Sequence, residues 1–133
     1  MTTTDLVPTA DIATNWTSTG GAHYTEIDED VDSPSTAEKL TSTTDTQVDS
    51  VGLTDAPGDY GTCNTVTLRV NGKASADMGF VATLRKADET VLATVTFTAG
   101  VDTAQATKTS GAQAATLSSA DVSALKIVFT AAA

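Results

Sequence analysis

Five carboxylates, Glu26, Asp28, Glu29, Asp30 and Asp32, crowd the stretch TEIDEDVDSPS at residues 25–35, and Asp28, Asp30 and Asp32 fall at every second position. Calcium takes about six to eight hard oxygen ligands, and aspartates at alternate positions open an EF-hand type of loop. Asp28, Asp30 and Asp32 are therefore the candidate calcium ligands. Counted from Asp28, the pattern then departs: Ser33 stands where a glycine should turn the loop, Pro34 follows, and Lys39 occupies the place of the bidentate glutamate. Alternate carboxylates on an extended strand also point to one side and repel unless solvent or a cation separates them. The stretch reads as a strand end running into a solvated acidic loop, with a structural calcium ion as the alternative. No other cofactor is expected.

The remaining reactive side chains are few. A hydrolase triad needs a nucleophile, a base and an orienting group, and His23 is the single imidazole, in a Gly-Gly-Ala-His-Tyr setting without a nucleophile-elbow motif. It reads as a structural histidine near a strand start. Gly20-Gly21 lacks the strand-to-helix context and the lysine of a phosphate-binding loop. One histidine and one cysteine cannot assemble a nitrogen and sulfur metal site. A paired-carboxylate glycosidase would need an aromatic-lined sugar cleft, for which Trp16, Tyr24 and Tyr60 are too scattered. These residues assign no catalytic group and point to a protein that is not an enzyme.

The chain has 133 residues and a formal net charge of −10, the size of one domain with one core. Aromatics make up only 5%, so the core must be built from Val, Leu, Ile and Ala around Trp16, Phe80, Phe97 and Phe129. Threonine supplies about a fifth of the residues, which suits the solvent face of strands. Seven basic residues against seventeen acids disfavour nucleic acid and anionic membranes, both of which are bound through Lys and Arg. Twelve of the acids, with Lys39 alone as a base, lie in residues 1–60, so the first half reads as solvated and the second as the packed body. Cys63 has no partner for a disulfide and reads as a buried thiol. No apolar run reaches membrane-helix length, and the start lacks a signal-peptide pattern.

Around these residues the pattern is that of strands. Residues 1–22 read as an extended N-terminal arm whose sizeable apolar groups are Leu6, Val7, Ile12 and Trp16, and residues 23–133 as the body. HYTEI at 23–27 has strand composition, and TQVDSVGL at 46–53 reads as a strand closed by a turn cluster at 55–59. In TVTLRVNG, Val66, Leu68 and Val70 alternate with Thr65, Thr67 and Arg69, and Asn71-Gly72 offers a turn. MGFVATLRK and TVLATVTFT continue the alternation, which predicts a three-stranded meander. Residues 99–116 hold at most two weak edge strands. Ser118 with Asp121 three positions on forms a capping-box pattern before a short helix, and KIVFT reads as the last strand. Together these predict an all-β fold, an antiparallel β-sandwich of jelly-roll-like form with an extended N-terminal arm and one short helix near the C-terminus.

The order of HYTEIDEDVD, TQVDSVGLTDAP, TVTLRVNGKAS, FVATLRKADETVLATVTF and LSSADVSALKIVFTA resembles a family of small jelly-roll-like structural proteins of tailed bacteriophages, over residues 12–130. Ser33-Pro34 stands where that family often has a Tyr-hydrophobic pair, and Ala115-Thr116-Leu117 where it often has a Trp. The resemblance implies a virion protein made in the host cytoplasm, with a decoration or cement role on the capsid surface. It further implies the major capsid protein as partner and a homo-oligomer, a trimer for preference. On that reading Leu6, Val7, Ile12 and Trp16 of the arm contact the capsid. The alternatives are a receptor- or carbohydrate-binding virion module and a tail or head-completion protein.

Overall fold

The computed structural model describes residues 4–27, 37–56 and 61–133, and among them the chain is antiparallel β-structure with one short helix. In chain order the elements are β1 (Pro8–Thr14), β2 (Thr17–Ser18), a 3-10 turn (His23–Glu26), β3 (Leu40–Thr41), β4 (Val48–Leu53), β5 (Cys63–Val66) and β6 (Arg69–Gly72). They continue with β7 (Gly79–Arg85), β8 (Val91–Phe97), β9 (Ala106–Thr109), β10 (Gln113–Leu117), α1 (Ser119–Ser123) and β11 (Lys126–Ala132). One sheet has five strands in the order β1-β4-β11-β7-β8, and β5–β10, β6–β9 and β2–β3 form two-stranded ribbons. The all-β expectation holds.

Strand β11 is the spine of the large sheet. It pairs along its whole length with β7, from Lys126↔Arg85 to Ala132↔Gly79, and with β4 on its other side. Period-two alternation sends Val51 and Leu53 of β4, Ala82 and Leu84 of β7, Ala93, Val95 and Phe97 of β8, and Phe129 and Ala131 of β11 to one face. There they meet Cys63, Leu68, Val70 and Leu117 from the ribbons and Val122 and Leu125 from the α1 region. The result is a two-layer, sandwich-like core.

Four local expectations change. The stretch 65–72 is two strands, because the partner segment bends at Ser110 and at Gly111, whose φ is +71°. Ser110 bridges the break, its hydroxyl accepting from the Leu68 amide at 3.0 Å while its own amide donates to the Leu68 carbonyl at 2.9 Å. Asn71-Gly72 is the end of β6, paired with Thr107 and Ala106, and makes no positive-φ turn. The meander is therefore only a β7–β8 hairpin; β6 belongs to the other layer, and the chain crosses over through Ala74, whose amide donates to the Asp102 carbonyl at 2.7 Å. HYTEI, finally, is a 3-10 turn and not a strand.

The capping box at Ser118 forms as its residues predict: the Ser118 hydroxyl accepts from the Asp121 amide at 3.2 Å, and the Asp121 carboxylate accepts from the Ser118 amide at 3.0 Å. Gly79 is required by a close approach. A Cβ there would lie 2.0 Å from the Phe97 carbonyl oxygen and 2.8 Å from the Ala99 amide nitrogen, both main-chain atoms that cannot swing aside.

Two substitutions test this packing in urea melts. Gly79→Ala should cost more than about 3 kcal/mol, beyond the usual range for overpacking, because strand β8 must move to admit the methyl group. Ser118→Ala should cost about 1 kcal/mol, the usual loss of a side-chain N-cap. A Gly79→Ala midpoint equal to that of the parent protein would contradict the packing described.

Candidate functional site

His23 enters its 3-10 turn because Asp11, on β1, captures the start of it. The Asp11 carboxylate accepts from the His23 amide at 3.0 Å and from the Tyr24 amide at 2.7 Å, satisfying donors that a helical turn leaves free at its N-terminus. This is why a stretch of strand composition coils: two adjacent amides converge on one acceptor.

The turn presents the imidazole to Asp49. His23 Nδ1 lies 2.6 Å from Asp49 Oδ2, and Asp49 is completely buried. The same oxygen accepts from the Trp16 amide at 3.0 Å, while Asp49 Oδ1 is buried with no hydrogen-bond partner among the described residues. Two further bonds hold the segment down, Asn15 Nδ2 to the Val48 carbonyl and Trp16 Nε1 to the Gln47 carbonyl, each 2.9 Å. A carboxylate that fixes an imidazole in this way is half of a triad. The other half is a hydroxyl or thiol on the imidazole, and among the described residues none hydrogen-bonds His23. Cys63 lies elsewhere, on β5, with its thiol directed to the Thr65 carbonyl at 3.1 Å. What the pair does in this arrangement is tie Trp16 and the 3-10 turn to β4.

Glu26 leaves the acidic run and turns inward, with only 6% of its surface exposed. It accepts from the Gly21 amide at 3.0 Å, from the Lys39 amide at 3.1 Å and from the Thr19 hydroxyl. The Thr19 hydroxyl, then the Gly21 amide, hold its carboxyl below the ordinary glutamate value of 4.5, with smaller help from Ser18 and the Lys39 amide and against the cost of burial. Asp28, Asp30 and Asp32 lie outside the described residues. No group of three or more His, Cys, Asp or Glu side chains suited to a metal ion occurs among the described residues.

The four expected contact residues separate into two classes. Trp16 is buried, edge-on to Phe80 at 5.7 Å between ring centres and tilted against Phe129 at 5.9 Å. Its ring is part of the core and is not available to a partner in this arrangement. Leu6 is half-buried against the core, whereas Val7 and Ile12 remain 40% and 56% exposed. The arm is extended, yet β1 is a strand of the large sheet, bonded through Val7 to Thr54 and through Asp11 to the 3-10 turn, and Asn15 and Trp16 add further bonds to β4 and its flank. Between the layers runs a cleft of about 1840 Å³ walled by Val66, Leu68, Met78, Phe80 and Ile127, larger than the roughly 300–1,000 Å³ usual for small-molecule sites.

Sequence reasoning missed Asp11, Asp49 and the inward role of Glu26. A signal for Asp49 was present: in VDSVGL it alternates in phase with Val51 and Leu53, so an acid was due on the core face.

Fold and site together define an antiparallel all-β protein whose buried acids are committed to holding its N-terminal segment. No protein-family model, curated protein or solved structure matches the chain.

Two measurements test these ties. Asp49→Ala leaves the buried Trp16 amide without an acceptor and should cost about 1–3 kcal/mol in urea melts, the usual penalty for one orphaned donor; an unchanged midpoint would show that the contact is not holding the segment. For Glu26, a folded-state value below the unfolded one means stability that is full above the ordinary glutamate range and lost as pH falls through the lowered value. Glu26→Gln should therefore melt below the parent at neutral pH, with the gap closing as the pH drops through and below 4.5. A gap constant across that window would refute the linkage.

Proposed function

We propose that this chain is a non-catalytic structural protein of a tailed-phage virion, with a jelly-roll-like body and a decoration or cement role on the outer surface of the head, bound to the major capsid protein as a homo-oligomer. The observation that carries the reading is the N-terminal segment, on which Val7 and Ile12 are large apolar side chains left exposed. A contact that works by area needs such groups and needs no reacting atoms. The commitment of Asp11, Glu26, His23 and Asp49 to internal hydrogen bonds supports the same reading, as does the family resemblance of the strand order. Extended segments of this kind bind by laying main chain and alternate side chains along a neighbour.

The contact surface is narrower than the whole arm. It consists of β1 and the residues just before it, with Val7 and Ile12 as anchors, because Trp16 belongs to the core. Deleting residues 2–14 should leave the near-ultraviolet signal of Trp16 in place and abolish co-sedimentation with purified heads of the encoding phage. Full binding by the shortened chain would overturn the proposal.

A further inference from the structure

The two layers of the fold are unequal. One holds five strands, whereas β5 and β6 each have a single paired neighbour among the described residues, β10 and β9. Strands lie about 4.8 Å apart, so five of them span roughly 19 Å and a two-stranded layer about 5 Å. The ribbons approach the large sheet most closely at its edge strand β8, and β4 and β11 face the cleft through Leu53, Ile127 and Phe129. The opposite wall is the continuous run of residues 61–75, so one whole strand margin borders the opening.

The hydrogen bonding shows which way that margin points. Leu68 directs both its amide and its carbonyl to Ser110, at 3.0 and 2.9 Å, and the register with β9 runs on unbroken from Arg69↔Thr109 to Gly72↔Ala106. Alternation along an antiparallel pair therefore turns the main chain of Arg69, Asn71 and Lys73, and of Thr67 before them, away from β9. Among the described residues nothing bonds the main chain of Thr67 or Lys73. The side chains along this margin that point away from the core are Thr67, Arg69, Asn71 and Lys73, two cations and no acid in a chain of net charge −10. Leu68 and Val70 alternate with them and are buried. An open margin beside an apolar cleft is a template for one more strand.

We infer that this margin is a strand-acceptor site: an extended segment of a partner protein lies along residues 67–73 and adds a third strand to the β6–β9 layer. Its apolar side chains, at alternate positions, enter the cleft over Leu53 and Ile127, and acidic ones between them lie beside Arg69 and Lys73. Main-chain bonds to the margin supply the affinity, and the alternating pattern supplies the selectivity. A lipid or drug-sized molecule would fill part of the cleft and leave the outward amides unbonded. A second copy is a poorer donor, because its alternating runs in β4, β7, β8 and β11 are already laid in the large sheet. The inference stands apart from the virion reading and from the contact made by Val7 and Ile12.

The blocked heptapeptide Val-Asp-Val-Asp-Val-Asp-Val, matched to this pattern, is titrated into the intact chain while amide hydrogen exchange is followed by NMR. Exchange at the Thr67, Asn71 and Lys73 amides should slow by about tenfold or more at saturation, and the block peptide Val-Val-Val-Val-Asp-Asp-Asp should not slow it. Asn71→Pro removes an outward amide and no bond to the β9 main chain, and should weaken binding by about tenfold. Because that change also loses the side-chain bonds to Thr107 and Gln105, Lys73→Glu serves as a second variant. It should shift the preference toward Val-Lys-Val-Lys-Val-Lys-Val. Absence of protection at millimolar peptide overturns the inference, as does equal protection by the block peptide or an unchanged preference in Lys73→Glu. Laurate that alters Trp16 fluorescence while the heptapeptide protects nothing also overturns it, and gives the cleft to an acyl chain. Protection by a synthetic copy of residues 4–14 in place of the heptapeptide overturns it in favour of a second copy.

Discussion

Four aromatic rings hold the two halves of this protein together. Phe80 stacks on Phe97 at 4.7 Å, lies edge-on to Trp16 and contacts Phe129 at 6.3 Å, so β7, β8, β11 and the segment after β1 meet in one cluster. With a single Trp and three Phe in the chain, every residue of these two types is in it. Aromatic pairs add to stability beyond their buried area, and in a core otherwise made of Val, Leu and Ala the cluster sets the position of everything attached to it. Gly72 and Gly79 follow from this constraint. A side chain at Gly72 would press on the Phe80 ring at 3.0 Å, and one at Gly79 would strike the Phe97 carbonyl.

Asp49 depends on the same cluster. It pairs across the sheet with Phe129, so burying that ring beside Trp16 buries the carboxylate too. A buried carboxylate is costly unless it is hydrogen-bonded, and the Trp16 amide and His23 meet that need on one oxygen. The His-Asp pair that looks like part of an active site is thus explained by packing: the indole brings its own amide to the acid, and the 3-10 turn follows.

Where side-chain periodicity governs a segment, the sequence was readable. The alternation in β7, β8 and β11 and the cap at Ser118 are local patterns, and each forms where its residues place it. The failures share a cause in long-range acceptors. Nothing in HYTEI announces that Asp11 gathers two of its amides, and nothing in TVTLRVNG announces the bend at Ser110-Gly111 some 40 residues away. Asp28, Asp30 and Asp32 lie outside the described residues, and in the first half Asp11, Glu26 and Asp49 are acids that accept main-chain amides from residues distant in the sequence.

The placement of those three acids also resolves how an N-terminal half with twelve acids and one base makes ordered structure at all. Lys39 is its one Lys or Arg, and much of the counter-charge for these three acids comes from the main chain. Asp11 takes the amides of His23 and Tyr24, Glu26 those of Gly21 and Lys39, and Asp49 that of Trp16. Hydrogen bonds from amides to a carboxylate are charge-assisted and stronger than neutral ones, and they need no particular side chain on the donor. The acid positions are therefore fixed by the fold while the donor positions are freer to vary, with Trp16 and His23 the exceptions, Trp16 for its ring in the core and His23 for the imidazole that meets Asp49. An acidic composition that reads as a solvated surface turns out to include the ties that hold that half to itself, while the pairing of β4 with β11 and the Trp16 ring join it to the nearly neutral body.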